Sequence, residues 1–393
     1  MNIAHCVEFY PPSVGGMQEV VRQLSERMVR SGHAVTVFTS DLPARHGSHL
    51  NGVDIRSFPL SGNASLGIHG DTTDYITALK EGRFDVITFF AAQQWTTDAA
   101  LPHLSAFEAR KVFVPTGFSG LNKSVYAPYY AAMPAWMKQM DLNVFLSTTY
   151  QDADFARAHG VEKTTLIPNG AAAEEFEGIA RYDIRQELAL PPKDLLILHL
   201  GSYTGAKGQG EAMRIFLRSR RTKGHALALI GNGVHELGRS FGNDRNYFLL
   251  RWKARLTGRK ILFLEWDRAR TVAALQQSDL FLFPSLVECS PIVLFEAMAA
   301  GTPFLASNAG NAAEIAEWSD GGWILPGTRH PDGWEQVNIT AGAQLLDVIL
   351  ADRARMQEKG RNGNSAWKER FTWQRITEQY LTAYASLIGK AHE

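Results

Sequence analysis

The sequence predicts an α/β protein of two domains, each a parallel sheet wrapped by helices. Three observations carry this. The 393 residues suffice for two domains at roughly 100–200 residues each. Short apolar runs of strand length alternate with stretches whose apolar residues recur at helical spacing, the pattern of a parallel sheet with crossover helices. The alternation lapses into a polar, alanine-rich stretch after Pro168-Asn169-Gly170 and restarts beyond Pro191-Pro192, so a boundary falls between 170 and 190.

The elements follow in order. Residues 3–9 form an apolar run and lead into Pro11-Pro12-Ser13-Val14-Gly15-Gly16. Val20, Val21, Leu24 and Met28 then recur at helical spacing up to Gly32, and 34–38 is the next strand. Further strands fall at 85–90, 111–115, 143–147 and 165–167. The second half repeats the scheme with strands at 195–200, 226–230, 261–264, 280–283 and 302–306. A terminal helix is expected over 367–387, with Phe371, Ile376, Tyr380 and Tyr384 as its apolar stripe and a break after Thr372.

Composition excludes several classes. Hydrophobic residues make up 45% and charged residues 20%, a globular balance rather than a disordered one. Basic and acidic side chains number 40 each, so the electrostatic excess of a general nucleic-acid binder is missing. Two cysteines, Cys6 and Cys289, supply neither a disulfide framework nor a cysteine zinc site, and fit a reducing cytosol. No run of ~18 apolar residues is present, the length a membrane-spanning helix needs. The first ten residues lack a secretory signal's basic start and long apolar core. A cytoplasmic protein is expected, with a peripheral contact at the inner face of the cell membrane left open. Residues 1–175 hold 13 basic against 17 acidic side chains, which is no polybasic signal.

Three glycine loops follow strands. Gly15-Gly16 opens a helix, where backbone N–H groups can approach an anion or a sugar; a plain tight turn reads equally from the same residues. Residues 201–208 place Lys207 in a glycine-rich loop suited to a phosphate, yet Gly208 after the lysine breaks the P-loop spacing. Gly231-Asn232-Gly233 is followed by Glu236 where the dinucleotide fingerprint requires glycine, which weakens an oxidoreductase reading. The densest constellation runs over 283–314. Ser290 as cap and Pro291 in the first turn predict a helix that Gly301 ends. Glu288 then lies in the loop before that helix and Glu296 on its second turn. A diphosphate at the helix start would sit between two carboxylates able to accept hydroxyl hydrogen bonds from a sugar or ribose. Glu296 stands among Phe295, Ala297, Met298 and Ala299, so its carboxylate needs a partner.

These residues resemble the GT-B glycosyltransferases of family 4, the retaining, nucleotide-sugar-dependent group. The likeness spans nearly the whole chain. Its markers are Pro11 or Pro12 through Gly15-Gly16, Gly32-His33, Ile167-Pro168-Asn169-Gly170, the loop 201–208, the pair Glu288-x7-Glu296, and Gly301-x-Pro303 through Ser307 to Glu314. The resemblance implies two Rossmann-like domains facing each other across a cleft. The first is residues 1–172 with a returning helix 373–393, the second 173–372. It implies that Lys207 neutralises the donor diphosphate, Glu288 contacts the donor sugar, and backbone amides within the stretch Ser290, Pro291, Ile292 and Val293 hold phosphate. Glu296 would hold the ribose, Gly16 would let the first domain approach the donor, and Ser202 would lie in the donor loop. No metal and no cofactor beyond the nucleoside-diphosphate sugar are implied.

Three departures accompany the likeness. Ser202 stands where the family carries arginine, and a replacement cation is sought among Arg251, Lys253, Arg255, Arg259 and Lys260, a group that otherwise reads as a solvated helix face. Thr116, in Val114-Pro115-Thr116-Gly117-Phe118, occupies the place of a sugar-contacting histidine. Glu265-Trp266 stands where glycine is common, near the nucleobase, with Trp266 either stacking on the base or packing in the core. The acceptor side is assigned to first-domain loops, with Trp95, Thr116, Phe118 and Tyr126 as candidate contacts for a glycan or lipid-linked acceptor. An aromatic satellite core is the competing reading of those aromatics. The activity expected is retaining sugar transfer to a hydroxyl in surface polysaccharide or glycoconjugate assembly. A catalytically impaired nucleotide-sugar-binding partner and a nucleotide-sugar epimerase are the alternatives.

Overall fold

A computed structural model describes residues 1–233, 246–330 and 333–389; Glu236 lies outside them. The chain divides into two compact units, Met1–Asn169 with Trp373–Glu393, and Gly170–Thr372.

The first unit contributes β1 (Asn2–Cys6), β2 (Ala34–Ser40), β3 (His49–Leu50), β4 (Val53–Phe58), β5 (Ser61–Asn63), β6 (Gly67–His69), β7 (Val86–Phe90), β8 (Arg110–Val114), β9 (Leu142–Phe145) and β10 (Thr164–Leu166). Eight of them form one sheet in the order β10-β9-β8-β7-β1-β2-β4-β3, and β5 pairs with β6 apart from it. The large sheet is parallel except for β3, which runs against β4. The helix α1 (Gly16–Arg30) follows β1. Ile3, Ala4, His5 and Cys6 are all buried, as a central parallel strand covered on both faces requires.

In the second unit, β11 (Leu196–Leu200), β12 (Ala226–Ile230), β13 (Lys260–Leu264), β14 (Leu280–Phe283), β15 (Phe304–Ala306) and β16 (Gly322–Ile324) form an all-parallel sheet in the order β13-β12-β11-β14-β15-β16. A small hairpin joins β17 (Gly327–Arg329) to β18 (Glu335–Val337). The helices used below are α2 (Gln209–Arg218), α3 (Asn246–Leu256), α4 (Arg268–Gln277) and α5 (Ile292–Ala300).

The break after Thr372 is present, but the segment before it belongs elsewhere than expected. Trp367–Phe371 extends the preceding helix as a π-turn, and Phe371 packs into the second unit's core. Thr372 turns extended, and α6 (Trp373–Gly389) begins anew. Its stripe of Ile376, Tyr380 and Tyr384 is buried in the first unit, where the Tyr384 hydroxyl lies 2.6 Å from Thr88 Oγ1 on β7. The terminal helix thus belongs to the same compact unit as the N-terminal sheet.

In each unit the chain winds outward from a central strand in both directions. The second unit reverses at β11, flanked by β12 and β14; the first reverses at β1, flanked by β2 and β7. Loops leaving the carboxyl ends of the strands at such a reversal form a ready-made crevice.

Candidate functional site

The second unit's crevice is built by the loops that follow β11 and β14. They are tied together through the backbone: Leu286 N donates to Ala206 O at 2.8 Å, and Ser285 Oγ lies 3.2 Å from the same carbonyl. Gly208 is required at this junction. Its φ is +75°, and a Cβ there would sit 1.9 Å from Pro284 O. The approach is close enough to bring two side chains from opposite sides of the reversal into contact. Lys207 Nζ lies 2.6 Å from Glu288 Oε1, and Ser285 Oγ donates to the same oxygen at 2.7 Å. Glu288 is largely buried, with its side chain 11% exposed against 32% for Lys207, so the ammonium remains reachable.

Beside this pair α5 begins. The helix starts one residue later than the sequence suggests: Pro291 occupies the cap position and Ile292 is the first helical residue. Ser290 therefore lies outside the cap, because Pro291 has extended torsions rather than helical ones. No side chain caps the helix, and Gly301 closes it in the left-handed conformation, φ 72°. An uncapped start offers free N–H groups and the positive end of the helix dipole to an anion. Ser290, Pro291, Ile292 and Val293 thus stand beside Lys207 and Glu288 at one edge of one sheet.

Glu296 has the partner that its apolar surroundings demand. Arg268 Nη2, on α4, lies 2.6 Å from Glu296 Oε1 and 2.5 Å from Glu175 Oε2. Burial opposes the charge on Arg268, but the two carboxylates outweigh it and raise its pKa. This arginine and Glu175 were not singled out from the sequence. Three separate segments contribute to the triad, so no spacing reveals it; the one signal was an acid in an apolar helix face.

Ser202 is partly exposed, and its carbonyl accepts from Gln209 Nε2 at 2.9 Å. Two of the five cations proposed to replace its missing charge do not serve it. Arg259 and Lys260 stand at the amino end of β13, the opposite edge of the sheet from the crevice. Five residues of strand separate the edges by about 13 Å at ~3.3 Å per residue. Arg259 is held there by Thr222 Oγ1 and Ser219 O, and Lys260 by Ala189 O. Trp266 packs partly buried against the core, and Glu265 Oε1 accepts from Gly233 N at 3.4 Å. Beneath the lysine loop, His199 is fully buried, and burial pushes its imidazole down to about 4. It is neutral at physiological pH and adds no charge beneath Lys207.

In the first unit, Gly16 is the exposed first residue of α1, which begins without a side-chain cap. Two acceptor candidates are overturned as surface contacts. Trp95 is 0% exposed, its indole N–H donating to Ser40 Oγ at 2.7 Å, and Phe118 is 1% exposed against Tyr130 and Phe155. Both belong to the aromatic core beneath the loops, because each ring is enclosed by other rings. Thr116 and Tyr126 remain partly exposed. Thr116, Gly117 and Phe118 run in succession at φ 59°, 99° and 50°. They are held by Gly117 N donating to Asp152 Oδ2 at 2.9 Å and by Gln151 Nε2 donating to the carbonyls of Gly117 and Phe118. Burial raises Asp152 to about 6. At the reversal itself, Glu8 N donates to Gln94 Oε1, and burial, then Asp98, pushes the Glu8 carboxyl up to about 7. Glu8, Asp98 and Asp152 went unnoticed in the sequence because an isolated acid carries no pattern.

Comparison with known proteins decides the family. The Glycosyltransferase Family 4 model matches residues 14–175, and the Glycosyl transferases group 1 model matches 180–361. The chain belongs to the family 4 glycosyltransferases. An uncharacterised glycosyltransferase of Methanocaldococcus jannaschii is 24% identical, covering 98% of each chain. Among solved structures, sucrose-phosphate synthase of Thermosynechococcus elongatus aligns over 99% of each chain at TM-score 0.77 and 21% identity. HepE of Anabaena, in complex with UDP, aligns over 98% of this chain and 100% of its own at TM-score 0.73 and 17% identity. The fold is therefore the GT-B fold, and the chain is a glycosyltransferase. Among the described residues no helix of this glycosyltransferase is long and apolar enough to cross a membrane, and no cluster of three or more histidine, cysteine or acidic side chains is set to hold a metal ion.

Proposed function

We propose that this glycosyltransferase moves a sugar from a nucleoside-diphosphate sugar to a hydroxyl of a glycan, lipid-linked or small-molecule acceptor, with retention of anomeric configuration. The observation that carries the reading is the 2.6 Å contact of Lys207 with Glu288 at the uncapped start of α5. A diphosphate placed there takes the Lys207 ammonium and the N–H groups of the first turn. Glu288 accepts from the donor sugar's hydroxyls, and Glu296, from its pairing with Arg268, accepts from the ribose. Gly16 and Ser202 contribute backbone approach to the donor, and Thr116 and Tyr126 meet the acceptor.

The acceptor oxygen attacks the anomeric carbon on the face from which the diphosphate departs. The bond from that carbon to the diphosphate oxygen breaks, and a departing phosphate oxygen takes the acceptor's proton. Positive charge aimed at the leaving group is the main catalytic contribution, and Lys207 with the start of α5 supplies it, so the reaction as proposed calls on no metal. The setting is cytoplasmic assembly of a surface polysaccharide or glycoconjugate.

Thermal shift with UDP, GDP, ADP and their sugars tests the donor, since a bound nucleotide raises the melting temperature. A flat response to every member refutes the reading. Ser202 and the absent histidine favour the second reading, a binding partner of reduced activity. It predicts a nucleotide shift without turnover in transfer or donor-hydrolysis assays, and product analysis without acceptor separates an epimerase from both.

A further inference from the structure

Helix α3 has two apolar faces where a surface helix needs one. Leu250 and Ala254 point into the second unit's core, with Ala254 1% exposed. On the other side Leu249, Trp252 and Leu256 are 59%, 63% and 66% exposed. At about 100° per residue, the spacing of a 3.6-residue turn, these three lie within about 60° of one another, opposite the core face. Scattered single apolar residues are normal on a surface, but an aligned Leu-Trp-Leu stripe is not.

The stripe's flanks are cationic. Residues 246–260 hold five lysines and arginines and no acid. Arg251 and Arg255 border the stripe on one side and Lys253 on the other, all three exposed. None of the three makes an ion pair among the described residues, although arginines elsewhere on the same unit find carboxylates readily. Arg251 and Arg255 also join Arg259 and Lys260 in lining a cavity of about 210 Å³. Arg259 and Lys260 are engaged by backbone carbonyls, which leaves Arg251 and Arg255, beside one small hollow and an apolar stripe, to suit a phosphate whose attached chains lie in an apolar layer.

We propose that α3 docks this enzyme on an anionic lipid surface, with Leu249, Trp252 and Leu256 entering the headgroup boundary and Arg251, Lys253 and Arg255 meeting lipid phosphates. Tryptophan and leucine on one side with arginine and lysine along the edges is the make-up of an interfacial helix. A second copy of the chain is the poorer occupant, because a twofold contact sets the same patch against itself and brings three cations against three. The inference stands on the second unit's surface and does not depend on the donor or acceptor assigned above.

Vesicle co-sedimentation of the full chain tests it. Wild type pellets with phosphatidylcholine vesicles containing 30 mol% phosphatidylglycerol and stays soluble with phosphatidylcholine alone. Raising salt from ~0.05 to ~0.5 M releases it, as screening shortens the reach of the cations. Arg251→Gln with Arg255→Gln weakens binding about 25-fold, at roughly fivefold per cation near a charged bilayer. Leu249→Ser with Trp252→Ser weakens it at least tenfold. All replaced side chains are exposed, so circular-dichroism melts of both variants match wild type. Failure of wild type to bind anionic vesicles overturns the proposal, as does undiminished binding by both variants. Concentration-dependent dimerisation that Trp252→Ser abolishes, without vesicle binding, overturns it in favour of a self-interface.

Discussion

Replacing Lys207 with alanine separates a structural lysine from a catalytic one. The structural loss is small. The Lys207–Glu288 pair is short at 2.6 Å, but the lysine side chain is 32% exposed, and a pair so open to water is worth about 0.5–1 kcal/mol. Glu288 keeps the Ser285 hydroxyl at 2.7 Å after the substitution, so it is not left bare. The melting temperature therefore falls by about 2–4 °C at most, the shift that ~1 kcal/mol produces. The functional loss is much larger. A charged hydrogen bond to a diphosphate is worth about 1.5–3 kcal/mol in binding, so the dissociation constant for the nucleotide sugar rises about 10- to 100-fold. An electrostatic group aimed at the leaving charge contributes ~10²–10³ in kcat. Isothermal titration with the nucleotide found by thermal shift, followed by initial-rate transfer assays, reads both effects. Lys207→Arg should recover part of the binding, since the charge is kept. A variant that binds and turns over within threefold of wild type would refute the assignment of the crevice. One that loses activity only in proportion to a large drop in melting temperature would show that the lysine is structural.

Three further outcomes follow from the same geometry. Gly208→Ala costs at least ~3 kcal/mol, because a left-handed residue and a backbone clash act together at a φ of +75° with Pro284 O 1.9 Å away; calorimetry should show a clear drop in melting temperature and no nucleotide-induced rise. Arg268→Ala leaves Glu296, with its side chain 8% exposed, without its cation; complete burial would cost ~3–5 kcal/mol, and the 44% exposure of Arg268 reduces this to about 2 kcal/mol, read as a lowered urea midpoint, while an unchanged midpoint would mean that Glu296 is solvated. Asp152 sits at about 6 against an ordinary 3.8, so between those values the folded chain keeps a proton that the unfolded chain releases. Stability then falls as pH rises from about 4 to about 6 and levels above; Asp152→Asn removes this part of the slope, and an identical pH profile in the variant would contradict the burial argument.

The parallel-sheet architecture was legible because central strands buried on both faces read as unbroken apolar runs, as in Leu196–Leu200 and Ala226–Ile230. The crevice loops were legible for a different reason: glycine and proline mark places where the backbone leaves the common torsions, as Gly208 and Gly301 do. What stayed hidden depends on three-dimensional neighbours. Trp95 and Phe118 are aromatic residues in loops, and sequence alone does not separate a ring that faces solvent from one that roofs a core. Arg268 joins Glu296 to Glu175, which lies 93 positions before the arginine in the chain. The basic run after 250 reads as one patch, yet Arg259 and Lys260 are tied to backbone carbonyls, while Arg251 and Arg255 form no ion pair among the described residues. The start of α5 was displaced by one residue because Ser290 and Pro291 can each begin a helix, and only the torsions at Pro291 decide.

The two units handle backbone strain differently, and the difference bears on which of them selects what. Around the second unit's crevice the left-handed positions are glycines: Gly205, Gly208 and Gly310, at φ 84°, 75° and 62°. Glycine adopts such torsions without steric penalty and presents only backbone. At the carboxyl ends of β7 and β8 the left-handed positions are Ala91, Gln93, Thr116 and Phe118, at φ 65°, 61°, 59° and 50°. Each costs about 1–2 kcal/mol, and buried groups hold them in place. Asp152 fastens Gly117, while the Tyr129 hydroxyl accepts from Gln93 N at 3.1 Å and donates to Asp98 at 2.7 Å. Glycine would relieve that strain at Gln93 and Thr116, but it would also remove their side chains. Strain kept at a partly exposed side chain is explicable when the side chain itself is used. On the proposed reading, backbone amides in the second unit hold the diphosphate common to all nucleotide sugars, and Thr116 is among the residues that meet the acceptor. Thr116→Gly should then relax the loop and raise the melting temperature slightly, lower kcat/KM for the true acceptor, and leave the nucleotide-induced shift as it was. Equal loss toward nucleotide and acceptor would place Thr116 with the donor instead.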